Sequence, residues 1–195
     1  MGETDTHSVA AGDVDGDGDI DLVFGNGQWP LRTQGADKLL LNTGDGVFGT
    51  GFWIDPRLTS GRVTECVVLA DIDADGDLDL VCSYRNGPRT TPIVFENLGI
   101  GRFVEATDRF FPRGVHSTQF LAVADMDGDL DLDLVGYGSP NRQAGTPARL
   151  WVYYNEGGAY TSFRPVRCLC LLRWVRAAVS PWQIWTETLG WTSCC

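Results

Sequence analysis

The sequence predicts an all-β fold of three four-stranded blades forming an incomplete, open β-propeller. Three observations carry that prediction. A nine-residue Asp-rich segment recurs three times in register, each copy lies between short apolar runs, and a second pair of apolar runs split by a Gly-containing turn follows each copy. The recurrence organises everything else.

The first segment is Asp13-Val14-Asp15-Gly16-Asp17-Gly18-Asp19-Ile20-Asp21, the second runs from Asp71 to Asp79 and the third from Asp125 to Asp133. Val9-Ala10-Ala11, Val67-Val68-Leu69 and Leu121-Ala122-Val123 precede them, and Leu-Val follows each one. Further along come Leu39-Leu40-Leu41 before Asn42-Thr43-Gly44, then Ile93-Val94-Phe95 before Asn97-Leu98-Gly99. The third repeat has Trp151-Val152-Tyr153 before Asn155-Glu156-Gly157. Asn and Gly tolerate positive φ, so Asn-x-Gly between apolar runs predicts a hairpin.

Each repeat therefore reads as two strands around the acidic loop and two around the turn. The blades fall at about residues 6–60, 64–115 and 118–165. No segment before residue 166 shows a helical period. Four-stranded units at this spacing suggest propeller blades, which bury their faces only by stacking. Three blades do not close a ring, so further blades or self-association are expected to complete it.

The charge pattern points to a cation. Formal net charge is −11, and the three Asp-rich segments hold 15 of the 26 acidic residues, leaving a slightly basic remainder. Five carboxylates within nine residues repel one another unless a cation neutralises them. Calcium takes six to eight oxygens at roughly 2.3–2.6 Å. Positions 1, 3, 5 and 9 supply Asp13, Asp15, Asp17 and Asp21, then Asp71, Asp73, Asp75 and Asp79, then Asp125, Asp127, Asp129 and Asp133. Position 7 (Asp19, Asp77, Asp131) is expected to offer its backbone carbonyl.

Position 6 is Gly18, Gly76 and Leu130. A left-handed backbone there costs Leu roughly 1–2 kcal/mol, which predicts a weaker third site. An EF-hand is excluded, because its position-12 Glu would fall on Phe24, Cys82 and Gly136. The bland reading, Asx turns on a solvated surface, explains one such loop better than three in register.

Together, Asp-x-Asp-x-Asp-Gly-x-x-Asp-Leu-Val and the downstream Asn-x-Gly-x-Gly-x-Phe resemble the FG-GAP repeat, also called the VCBS repeat, of integrin α-subunit propellers. The resemblance covers about residues 6–165. It implies calcium between the first two strands of a blade, an extracellular or cell-surface location, and adhesion or binding of a protein or carbohydrate ligand. An accessory region of a larger secreted enzyme and a non-functional truncation are the alternatives.

Nothing suggests catalysis: there is no Ser-His-Asp or Cys-His arrangement, and no phosphate-cradling loop. His7 and His116 occupy non-equivalent positions and read as ordinary surface or strand-end residues. The acidic balance argues against nucleic acid. Met1 to Asp5 lacks the features of a secretory leader, and no apolar run is long enough to span a membrane. Cys66 and Cys82 read as buried free thiols, and Trp53 and Trp151 as core residues. Trp29 is a candidate contact for a ligand, or packs between blades. Residues 166–195 hold Trp174, Trp182, Trp185, Trp191 and four cysteines, and abandon the repeat.

Overall fold

A computed structural model of the 195-residue chain describes residues 5–27, 37–49, 52–54, 63–84, 92–111, 118–139 and 147–165. Trp29, His116 and the Trp- and Cys-rich segment from residue 166 lie outside these residues, as does the side chain of Trp53.

The described residues form three four-stranded antiparallel sheets. Blade 1 contains β1 (Asp5–Gly12), β2 (Asp21–Gly27), β3 (Lys38–Leu40) and β4 (Phe52–Trp53). Blade 2 contains β5 (Thr64–Ala70), β6 (Asp79–Tyr84), β7 (Ile93–Asn97) and β8 (Phe103–Glu105). Blade 3 contains β9 (Phe120–Ala124), β10 (Asp133–Gly138), β11 (Arg149–Asn155) and β12 (Tyr160–Pro165). Within each blade the strands lie side by side in sequence order, so the sheet is a meander. The three sheets do not close into a ring.

Apolar residues on alternate strand positions give each sheet two oily faces, and stacking buries them. Between blades 1 and 2, Val23 and Leu39 meet Val67, Leu80, Cys82 and Phe95. Between blades 2 and 3, Val81 and Val94 meet Leu134, Trp151 and Tyr153. Trp151 and Cys82 are core residues, as expected; Cys66 is a half-buried free thiol. Gly25 is required by this stacking, since a Cβ there would lie 2.7 Å from Thr64 Cγ2 on the next blade.

One element has no helical period in the sequence. A single turn, α1 (Thr107–Phe110), follows β8 and drops Phe110 and Phe111 into the seam between blades 2 and 3. Phe111 stacks on Tyr160 at 4.8 Å between ring centroids. The turn is tied back to its own sheet, where Val94 N donates to Thr107 Oγ1 at 3.2 Å.

Candidate metal centre

Each Asp-rich segment is the loop between the first two strands of its blade, and the residues divide their work by position. The position-1 carboxylate folds the loop around itself. Asp13 accepts from Gly16 N at 2.8 Å and from Gly18 N at 2.9 Å, and Asp125 accepts from Gly128 N and Leu130 N. Asp71 accepts from Asp75 N and Gly76 N, both at 3.1 Å. Position-5 carboxylates brace the next turn: Asp17, Asp75 and Asp129 accept from the N–H two residues on.

Position 9 is fully buried in all three loops and acts as a staple. One oxygen accepts from position 2: Val14 N to Asp21 at 2.9 Å, Ile72 N to Asp79 at 3.2 Å and Met126 N to Asp133 at 2.8 Å. The other accepts from the hairpin Asn: Asn42 N at 2.8 Å, Asn97 N at 2.9 Å and Asn155 N at 2.9 Å. The loop and the Asn-x-Gly turn are thus one hydrogen-bonded unit. Asp131 adds to it by accepting from Gly157 N at 2.9 Å, and Asp19 and Asp77 place a carboxylate oxygen beside Gly44 and Gly99.

What remains after this folding is three converging acid groups. Asp13, Asp15 and Asp17 each bring one carboxylate oxygen within 4.8 Å of the others, as do Asp71, Asp73 and Asp75, and Asp125, Asp127 and Asp133. Positions 1, 3 and 5 meet in the first two loops; in the third, position 9 takes the place of Asp129. The chemistry is all-oxygen and anionic, which suits a hard cation.

The electrostatics carry the strain of that convergence. Lost hydration pushes the Asp15 carboxyl up, and Asp17, Asp21 and Asp13 push it further against the Asp17 N–H. Asp79 rises to about 6, mainly through burial, with Asp73 and Asp75 adding to the effect against hydrogen bonds from Asn97 and Ile72. Asp127 is also raised, by local desolvation and then by Asp129 and Asp133. A bound cation reverses each of these.

One atom tests whether the residues fit a cation. The Asp73 side chain is 8% exposed, and its Oδ2 accepts from Arg109 at 2.8 Å. Its Oδ1 is buried with no hydrogen-bond partner. A buried carboxylate oxygen left bare is costly, and an ion between Asp71, Asp73 and Asp75 satisfies it.

Three features of the site escaped the sequence. Arg109, on α1, pairs with both Asp73 and Glu96 and places a cation beside the second loop. Position 4 is left-handed as well as position 6: Gly16 and Gly128 accommodate this, but Ala74 does so at φ 59°. Leu130 does adopt positive φ, at 80°, as the position-6 reading requires. The hairpin Asn also does more than turn the chain, since Asn97 Nδ2 and Asn155 Nδ2 donate to the previous blade's loop. His7 is exposed at the bulge of β1 and belongs to none of the acid groups.

Comparison with known proteins agrees with this geometry. The chain matches the FG-GAP-like repeat twice, over residues 13–82 and 71–136, which together span more than half of it. No curated protein matches the chain. Each match begins at the first Asp of a loop and runs through the next, so the repeating unit is the loop, its hairpin and the seam to the following blade: this chain belongs to the FG-GAP-like repeat family.

Proposed function

We propose that this chain is a calcium-binding β-propeller repeat module that binds a protein or carbohydrate ligand at the cell surface or outside it, with the metal in a structural role and no catalytic activity. The bare Asp73 Oδ1 inside a converged acid group is the observation that carries the metal. Asp13, Asp15 and Asp17, Asp71, Asp73 and Asp75, and Asp125, Asp127 and Asp133 would hold the ions. Bound calcium supplies charge neutralisation and nothing reactive. The ligand-binding role is supported by membership of a repeat family whose propellers serve adhesion. No helix among the described residues is long and apolar enough to cross a membrane.

Thermal melting under calcium titration tests the metal. Sites of this kind in extracellular modules bind at about 0.1–1 mM. Millimolar calcium is therefore expected to raise the melting temperature by about 5 °C or more, and excess chelator to reverse it. An unchanged melting temperature overturns the proposal. A glycan array run with and without chelator then identifies a carbohydrate ligand.

A further inference from the structure

The Asp-rich loops and the Asn-x-Gly hairpins form one continuous row at the same end of the three blades. Gly101 N, in the blade 2 hairpin, donates to Val14 O in the first loop, and Gly99 lies beside Asp77 in the second. The blade 3 hairpin sits likewise between the second and third loops, with Gly158 against Asp73 and Gly157 N donating to Asp131.

Two residues on this row do not suit the backbone they occupy. The third residue after the hairpin Asn is left-handed in every blade: Asp45 at φ 56°, Ile100 at 55° and Gly158 at 90°. Asp and Gly tolerate that backbone, whereas a β-branched Ile is an outlier there. Leu130 is the matching exception at loop position 6, at φ 80° where Gly18 and Gly76 stand at 93° and 98°. These two are also the most exposed large apolar residues among those described, Leu130 at 87% and Ile100 at 78%. Leu98, two residues before Ile100, is exposed as well, where blades 1 and 3 carry the polar Thr43 and Glu156.

Their exposure follows from the positions they hold. A Cβ on Gly18 or Gly76 would meet nothing within 4 Å, so position 6 opens to solvent even in the second loop, whose blade is packed on both faces. The blade 2 hairpin that carries Leu98 and Ile100 belongs to that same blade. Packing therefore gains nothing from these three side chains, and two of them carry backbone strain. Strain kept at exposed apolar tips points to a use outside the fold.

The surroundings indicate the kind of surface. Leu130 lies between Asp129 and Asp131, and Leu98 and Ile100 flank Gly99 beside Asp77. Apolar tips set among carboxylates do not make the dry core of a protein interface, but they suit insertion among lipid headgroups. Arg102 is exposed two residues beyond Ile100, and Arg109 is half-exposed beside the second loop. The acid groups repel an anionic surface until a cation neutralises them, and the bare Asp73 Oδ1 marks the row as suited to one.

We infer that this end of the blades docks on a membrane surface of anionic phospholipid when calcium is bound, with Leu98, Ile100 and Leu130 inserting among the headgroups and Arg102 meeting their phosphates. The docking is peripheral and needs no spanning segment. It rests on the calcium reading above, because only neutralised loops can approach such a surface.

Co-sedimentation of the full chain with phosphatidylserine–phosphatidylcholine vesicles tests this, alongside thermal melting in the same buffers. Binding is expected in millimolar calcium, and to fall about tenfold or more in excess chelator or on pure phosphatidylcholine. Leu130→Gly, Ile100→Gly and Leu98→Thr each install the residue that another repeat carries at that place, and circular dichroism verifies that each variant folds. Each is expected to weaken vesicle binding about three- to tenfold. Leu130→Gly separates lipid contact from stability, since it is expected to lose vesicle binding while melting no lower than the wild type. A chain that melts higher in calcium yet stays off the vesicles overturns the inference, leaves the metal reading standing and assigns the tips to a protein partner. A melting temperature indifferent to calcium overturns both. Vesicle binding that survives chelator, or that none of the three substitutions weakens, also overturns the inference.

Discussion

Asn97 reaches across a blade boundary and donates its side-chain N–H to the Val14 carbonyl oxygen, 2.8 Å away and 83 residues earlier in the chain. Its backbone N–H is held meanwhile by Asp79, a member of the loop in its own blade. One residue therefore fastens an Asp-rich loop to the neighbouring sheet, and Asn155 does the same one blade on.

Removing Asn155 takes from the Ile72 carbonyl its donor across the seam, and removing Asn97 leaves the Val14 carbonyl with Gly101 N alone. Asn97→Ala and Asn155→Ala are each expected to destabilise the fold by about 1–3 kcal/mol. Asn42→Ala, whose side-chain N–H donates to Ile20 O within its own blade at an exposed position, is expected to cost less. Urea denaturation of the three variants checks the order, and equal losses would count against a seam role.

Two positions carry side chains where the backbone is left-handed. Leu130→Gly and Ala74→Gly each relieve that strain and are expected to raise stability by about 1 kcal/mol. Leu130→Gly is also expected to tighten calcium at the third loop, read by isothermal titration calorimetry against the wild type.

Arg109 pairs with Asp73 and is expected to compete there with a bound cation. Its guanidinium is held charged by hydrogen bonds and ion pairs to Glu96 and Asp73. In Arg109→Gln the second loop loses its built-in cation. Calcium affinity at that loop is expected to rise about three- to tenfold, while the chelated protein melts lower than the chelated wild type. Unchanged calcium affinity would show that the arginine and the ion do not compete.

A buried acid sets the pH response of the first seam. Asp37 accepts from Asn26 N at 2.9 Å, from Thr64 Oγ1 at 2.7 Å and from Tyr84 Oη at 3.4 Å. Burial nevertheless raises its carboxyl from 3.8 to about 6. Between those values the folded chain keeps a proton that the unfolded chain has released. Stability contributed by this residue is therefore complete below pH 3.8, falls as pH rises toward 6 and stays lost above it. Asp37→Asn cannot titrate, so its stability relative to wild type is expected to grow by about 2–3 kcal/mol across that window. Chemical denaturation in chelator at several pH values between 4 and 7 measures the difference, and a flat difference would refute it.

The loops and hairpins were legible in the sequence because both are local. Alternate Asp residues and an Asn-x-Gly turn reveal their conformation within about ten residues, and the short apolar runs on either side show where the strands pair. The remaining features depend on residues distant in sequence. Asp37 belongs to no repeating motif in the chain, and its role exists only once Thr64 and Tyr84 close over it. Arg109 sits in a single helical turn, too short to show a period, 36 residues from the carboxylate it pairs with. Ala74 gives no turn signal, because the loop's other bonds impose its left-handed backbone. Asn97 and Asn155 were read as turn formers, which they are, but a side chain bonding to another sheet leaves no trace in spacing.

The buried Asp at the end of each loop gives the array nearest-neighbour coupling. Asp79 ties its loop to Asn97, Asn97 ties that blade to the one before, and Asp133 with Asn155 extends the linkage. An ion captured in one loop therefore stiffens the adjoining sheet as well as its own. Like links in a one-dimensional cooperative chain, the units gain or lose order in blocks, with fraying that starts at whichever end lacks a neighbour.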